Sequence, residues 1–273
     1  MSTNAQARVH PYSGTLVNAY LVEGEDGVVA IDGTLTVSDG RALRDRVTAL
    51  GKPLQAVVVT HPHPDHYGGI VELVGADDVP ILAVAGVNEA IRRDDAVKEQ
   101  ILRPMFGEEW PHERRFPTDV VADGDVVTFG GISLRVTDLG PGESPHDSMW
   151  ALVQEGPPVI FAGDVAYDHV HAYLADGHYV TWLEHLATLR ESLPPEATLY
   201  IGHGGPATPA LLAWQEGYIE RFVSALRAAD WTAPEQAHAA VVAAMRAYLD
   251  TDAAQFLMEL SIDPLSTQLG LRG

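Results

Sequence analysis

Short runs of apolar, β-branched residues recur along the first three quarters of the chain, and helically spaced apolar positions dominate the last quarter. Residues 15–22 and 28–31 read as two strands of a hairpin around a turn at 23–27. Residues 56–59, Ala-Val-Val-Val, are too short for a helix and read as a buried strand. The same pattern predicts strands at 80–84, 148–153, 158–162 and 199–201, and 118–137 alternates as strands around Gly130-Gly131. Ser38 is placed to cap a helix that carries Leu43, Val47 and Leu50 on one face. Residues 67–75 predict a short helix ending near Gly75. Thr208-Pro209 puts a cap and a proline at the start of another helix, whose stripe includes Leu211, Tyr218, Phe222 and Leu226. Thr232 to Glu235 has the capping-box pattern before Val241, Met245 and Leu249, and a last helix is expected over 253–260. Residues 86–117 are densely charged, with Met105, Phe106, Trp110 and Phe116 interleaved. They read as a solvated helix with a packed loop, or as a lid whose apolar residues meet a substrate.

Three of the buried strands run straight into a residue able to bind a metal: His61, Asp164 and His203. Open α/β sheets place their sites at such carboxyl ends. The first junction is the richest, with His61, His63, Asp65 and His66 following Thr60. Pro62 and Pro64 hold the preceding histidines extended, so His61 and His63 point the same way. Parity alone sends Asp65 with them, and a turn there is needed if it serves a second ion. Gly163 and Gly202 precede the later two ligand candidates and let the backbone bend sharply. His146 stands in a Gly/Pro loop, 140–146, just before a strand.

The 273 residues are 46% hydrophobic, enough for one large core or a core with an appendage. The balance of 17 Lys and Arg against 38 Asp and Glu, a formal charge of −21, lacks the basic footprint that nucleic acid or an anionic membrane requires. With no Cys, a metal site has to be built from His, carboxylate and water. Met1 to His10 shows no apolar signal region and no segment is long enough to span a bilayer, so a cytoplasmic protein acting on a small molecule is expected.

Thr60-His61-x-His63-x-Asp65-His66, followed in order by His146, Gly163-Asp164 and Gly202-His203-Gly204, resembles the metallo-β-lactamase superfamily over roughly residues 12–206. The resemblance implies an α/β fold, the four-layer αββα sandwich, for a catalytic unit 1–206; the helical pattern of 207–273 reads as a segment packed on it, as a pocket wall or dimer contact. The resemblance also implies a first metal on His61, His63 and His146, a second on Asp65, His66 and His203, and Asp164 bridging them. Asp32 and Thr60 would support the ligands. Two zinc ions are expected, iron or manganese being the alternatives. The branch that keeps the bridging Asp contains thioesterases similar to glyoxalase II, lactonases and esterases. True β-lactamases of the superfamily lack it.

On that footing a bridging hydroxide attacks the carbonyl of a small ester, lactone or thioester, with Asp65 as proton shuttle. Tyr167, His169, His171, Tyr173 and Trp110 are the candidate substrate contacts. The first rival is an iron oxidoreductase similar to persulfide dioxygenases, using His61, His146 and Asp164. β-Lactamase, phosphodiesterase and a non-catalytic binding protein rank below it.

Overall fold

The computed structural model describes residues 6–272; residues 1–5 and 273, the outer ends of the two expected units, lie outside the described residues. Among the described residues, eleven strands form two sheets. The first contains β1 (Arg8–Ser13), β2 (Asn18–Glu23), β3 (Val28–Ile31), β4 (Leu54–Val58), β5 (Ile81–Val84) and β6 (Asp119–Val121), side by side in that order. It is antiparallel up to β3 and parallel from β3 to β6. The second runs β11 (Thr198–Ile201), β10 (Val159–Gly163), β9 (Asp147–Leu152), β8 (Ile132–Gly140), β7 (Val126–Phe129), with only β10 and β11 parallel.

Period-two alternation explains the layers. On β9, Trp150 joins the core between the sheets while Met149 faces the other way; on β10, Phe161 and Ile160 divide in the same manner. The first core also takes Leu43 and Val47 of α1 (Val37–Leu50) and Leu73 of α3 (Ile70–Val74), beyond the short α2 (Pro64–Tyr67). Val87 and Ile91 of α4 (Ala85–Phe106) pack into it as well. The second core joins β9–β11 to α5 (Tyr179–Ser192), α6 (Ala210–Ala228), α7 (Pro234–Tyr248) and α8 (Gln255–Gln268). Helices therefore cover both outer faces of the sheet pair. The segment after residue 206 shares its core with β10 and β11, so Tyr218, Phe222, Met245 and Ile262 belong to the same packed layer as Leu199.

Several local expectations change. Thr36, not Ser38, caps α1 by accepting from the Asp39 amide at 3.1 Å; Ser38 instead bonds Glu109. The Thr232 hydroxyl donates to Asp230, so α7 has no side-chain cap, and α6 starts after Pro209 without one. The last helix continues to Gln268 through Pro264. Helix α5 has no counterpart among the expected elements, although Trp182, Leu186 and Leu189 make its buried stripe. None of the described helices is long and apolar enough to cross a membrane.

Candidate metal centre

The carboxyl ends of β4, β10 and β11 open at the same end of the sandwich, and hydrogen bonds to backbone carbonyls across the sheets hold them there. Ser148 donates its amide and hydroxyl to the Thr60 carbonyl, at 2.9 and 2.7 Å. Asn18 reaches across to the carbonyls of Ile201 and Gly204, at 3.1 and 2.7 Å. Gly202 is required because a Cβ there would sit 1.9 Å from Asp164 Oδ1. His61, Asp164 and His203, spread over about 140 positions in sequence, thereby meet.

Two groups of ligand-type side chains face one another. His61, His63, Glu143 and Asp164 form one, and Asp65, His66 and His203 the other. Glu143 Oε2 lies 3.1 Å from His63 Nδ1 and 3.7 Å from His61 Nε2. Asp164 stands between the groups, its Oδ2 being 3.1 Å from His203 Nε2 and 3.8 Å from His61 Nε2, its Oδ1 3.4 Å from His66 Nε2. Asp65 Oδ2 lies 3.2 Å from His203 Nε2. The turn required for Asp65 is α2, which starts at Pro64 and swings Asp65 and His66 away from the extended His61–His63 pair.

His146 is not part of either group. Its Nε2 bonds Asp138 Oδ1 at 2.6 Å and its ring packs on Gly86, where a Cβ would come within 2.0 Å of Nδ1. Glu143 occupies the place expected for it. The loop explains the exchange: Asp147 accepts from the Glu143 and Ser144 amides at 2.7 and 3.3 Å and from the Ser144 hydroxyl at 2.6 Å, which turns Glu143 inward and leaves His146 outside. The signal was present, since Gly142-Glu143 repeats the glycine-then-ligand order of Gly163-Asp164 and Gly202-His203, whereas Pro145 precedes His146.

Supporting bonds fix each imidazole. Asp32 accepts from His66 Nδ1 at 2.8 Å and from the Thr60 amide and hydroxyl at 2.9 Å each, its backbone held at φ 63°. Thr60 Oγ1 lies 3.1 Å from His61 Nδ1. Asp176, which sequence reasoning missed, accepts from His63 Nε2 at 2.8 Å. Such partners select the tautomer that leaves the other ring nitrogen for a metal. Tyr167 stacks on His203 at 5.0 Å, and its hydroxyl lies 2.7 Å from Glu143 Oε1 and 2.9 Å from Asp164 Oδ2. One phenolic proton serves one of these carboxylates, so the other contact needs a proton on the acid side. Burial, opposed by His63, pushes the Glu143 carboxyl up to about 8, which supplies it.

Acidic neighbours favour a positive charge on three of the four imidazoles. Burial works against a charged His203, but Asp164 and Asp65 outweigh it and push the imidazole up to about 10. Burial also opposes charge on His63 and His66, yet both are raised, the first by Glu143 and Asp176, the second by Asp164 and Asp32. His61 is lowered by burial and by its neighbour His66. Even so, His66 Nε2, Glu143 Oε2 and Asp164 Oδ1 are buried without a hydrogen-bond partner. Leaving such atoms unpaired costs about 1–3 kcal/mol each, and cations bound in the two groups would satisfy all three. The donor set, four imidazoles and three carboxylates, fits divalent ions such as zinc, manganese or iron.

The remaining sequence candidates separate. Tyr167 and Tyr173 line the cavity above the cluster, Tyr173 meeting the His63 ring edge-on at 5.2 Å. His171 is fully buried against Tyr218 Oη, 2.9 Å, and the Thr251 carbonyl, 3.2 Å, and cannot touch a substrate. His169 is exposed and stacks on Trp214 instead. Trp110 is fully buried, donates to Glu99 at 2.6 Å and packs under Arg114, so it belongs to the core behind α4.

A family profile described as "Metallo-beta-lactamase superfamily" matches residues 12–203, which hold every member of both ligand groups. The chain belongs to the metallo-beta-lactamase superfamily. Within the superfamily, curated relatives include a hydroxyacylglutathione hydrolase of Rhodopseudomonas palustris (strain BisB5), 31% identical over 153 residues, covering 56% of this chain and 49% of that one. Another hydroxyacylglutathione hydrolase, from Idiomarina loihiensis, is 25% identical over 199 residues, covering 72% and 65%. The chain thus spans about half to two thirds of the length of these relatives. A beta-lactamase domain protein from Burkholderia ambifaria superposes with a TM-score of 0.68 at 19% identity, covering 96% of this chain and 85% of that one. A metallo-beta-lactamase family protein from Thermus thermophilus gives 0.67 at 20%, covering 97% and 93%. At these identities the two structures establish the superfamily fold and nothing further.

Proposed function

We propose that this protein is a metal-dependent hydrolase of a small ester, lactone or thioester, built on two divalent ions. The observation that carries the reading is the convergence of seven ligand-type side chains, three of them with orphaned buried atoms, under a cavity of about 540 Å³ whose floor includes His63, Asp65, Asp164 and His203. His61, His63, Glu143 and Asp164 would hold one ion, Asp65, His66 and His203 the other, with Asp164 shared. Bound there, the ions supply a water ionised near neutral pH and polarise the attacked carbonyl. Asp65, partly exposed to the cavity, is the group able to carry the proton to the leaving group. The water oxygen bonds to the carbonyl carbon, the C–O or C–S bond breaks, and the alcohol or thiol leaves with that proton. Tyr167, with one hydroxyl proton to donate, would hold either Glu143 or Asp164 in place.

Glu143 in place of an imidazole adds one negative charge. Three carboxylates against two divalent ions leave +1, and a hydroxide brings the centre to zero, so it favours a neutral carbonyl over an anion. Metal analysis, followed by an ester, lactone and thioester panel on zinc-, manganese- and iron-loaded protein, tests this. Fewer than one ion per chain with no rescue by added metal would refute it.

One observation supports the oxidoreductase alternative. His61, His63 and Glu143 make a two-histidine, one-carboxylate set of the kind that binds non-haem iron. It leaves Asp65, His66 and His203 without a task, which is why it ranks second. Oxygen uptake with a persulfide and no ester turnover would reverse the ranking.

A further inference from the structure

The cavity has a polar floor and an apolar wall. His63, Asp65, Asp164 and His203 are at the floor. Above them, α4 contributes Ile101 and Met105, and α8 contributes Phe256 and Leu260. These four are 51, 60, 40 and 56% exposed, and they are four of the ten large hydrophobic residues exposed among the described residues. Their convergence on one opening, rather than dispersal over the surface, marks a binding surface. The lining holds one lysine, Lys98, and no arginine. A glutathione carrier, with two carboxylates and an ammonium, or a polyphosphate carrier finds few charged partners here.

We propose that the acyl substituent of the substrate is an uncharged aliphatic or aryl chain lying between α4 and α8, with the scissile carbonyl at the metal-ligand floor. The reaction rests on the hydrolase reading above; the chain site rests on the wall alone. Burying one methylene is worth about 0.8 kcal/mol, about fourfold in kcat/KM.

The test uses p-nitrophenyl acetyl, butanoyl, hexanoyl, octanoyl and decanoyl esters, S-lactoylglutathione, and calorimetric binding of butanol and decanol to metal-free protein. The expected result is a rise of about fourfold per methylene, decanol binding more tightly than butanol, and both gradients flattened in Met105→Asp and Leu260→Asp. Val153→Asp, an exposed residue outside the cavity, should leave both gradients unchanged. Equal rates along the series, or S-lactoylglutathione as the best substrate, overturn the proposal while leaving the hydrolase reading intact. No turnover of any ester, lactone or thioester by the zinc-, manganese- or iron-loaded protein, with the alcohol gradient retained and flattened by the variants, upholds the chain site and overturns the hydrolase reading. A dimer that dissociates in the Asp variants, with butanol and decanol binding equally, overturns the proposal and makes this face a contact between copies.

Discussion

Glu143→Gln separates the two accounts of the third ligand. The substitution keeps shape and removes charge from a fully buried position 3.1 Å from His63 Nδ1. Removing one partner of a buried charged pair costs about 3–5 kcal/mol, so metal bound at the His61–His63 group should weaken at least about 100-fold. Metal-free protein should respond in the opposite direction. The carboxyl is raised to about 8 in the fold from an ordinary value near 4.5. The protonated acid costs nothing below that ordinary value, and stability is then lost progressively as pH rises from there to about 8. The loss approaches about 5 kcal/mol. The amide that replaces the carboxyl cannot ionise, so the metal-free variant should be more stable than the parent above about pH 8 and flatter between about pH 5 and 8. The assays are competition against a chelating indicator for affinity and urea denaturation in EDTA across pH for stability. His146→Ala is the counterpart and should leave metal content unchanged. If Glu143→Gln keeps parental affinity while His146→Ala loses an ion, the assignment of Glu143 is wrong.

Replacing Asp176 with Asn removes the charged acceptor for His63 Nε2 and should weaken metal binding about 10–100-fold, with little change in melting temperature; an unaltered indicator titration would count against its role. Raising pH should tighten metal binding between about 6 and 10, because His63, His66 and His203 must lose protons that their carboxylate neighbours hold. Proton release measured in weakly buffered solution checks this, and pH-independent affinity contradicts it. Trp110→Ala should destabilise the fold by about 3–5 kcal/mol through a core cavity while leaving KM ratios between substrates unchanged, which steady-state kinetics on two substrates would show. His171→Ala should lower stability without lowering metal content, since its ring bonds only Tyr218 and Thr251; a lost ion by elemental analysis would oppose that.

The sequence by itself determined the two sheets' main strands, the His61-x-His63-x-Asp65-His66 cluster and the placing of Asp164 and His203 after glycines at strand ends. Those features are local: an apolar run of β-branched residues, a proline that fixes φ, a glycine that permits a turn. The tertiary structure alone decided which residue of the 140–147 loop faces the centre, because that depends on Asp147 gathering the loop's amides and on Asp138 and Gly86 offering His146 a seat elsewhere. It likewise decided that Trp110 and His171 are core, since their partners Glu99, Tyr218 and Thr251 lie on other turns and elements of the chain. Asp176 under His63, and the apolar wall shared by α4 and α8, come from segments more than a hundred residues apart. Residue type tells what a side chain can do, but the side it turns to follows from contacts that local spacing does not encode.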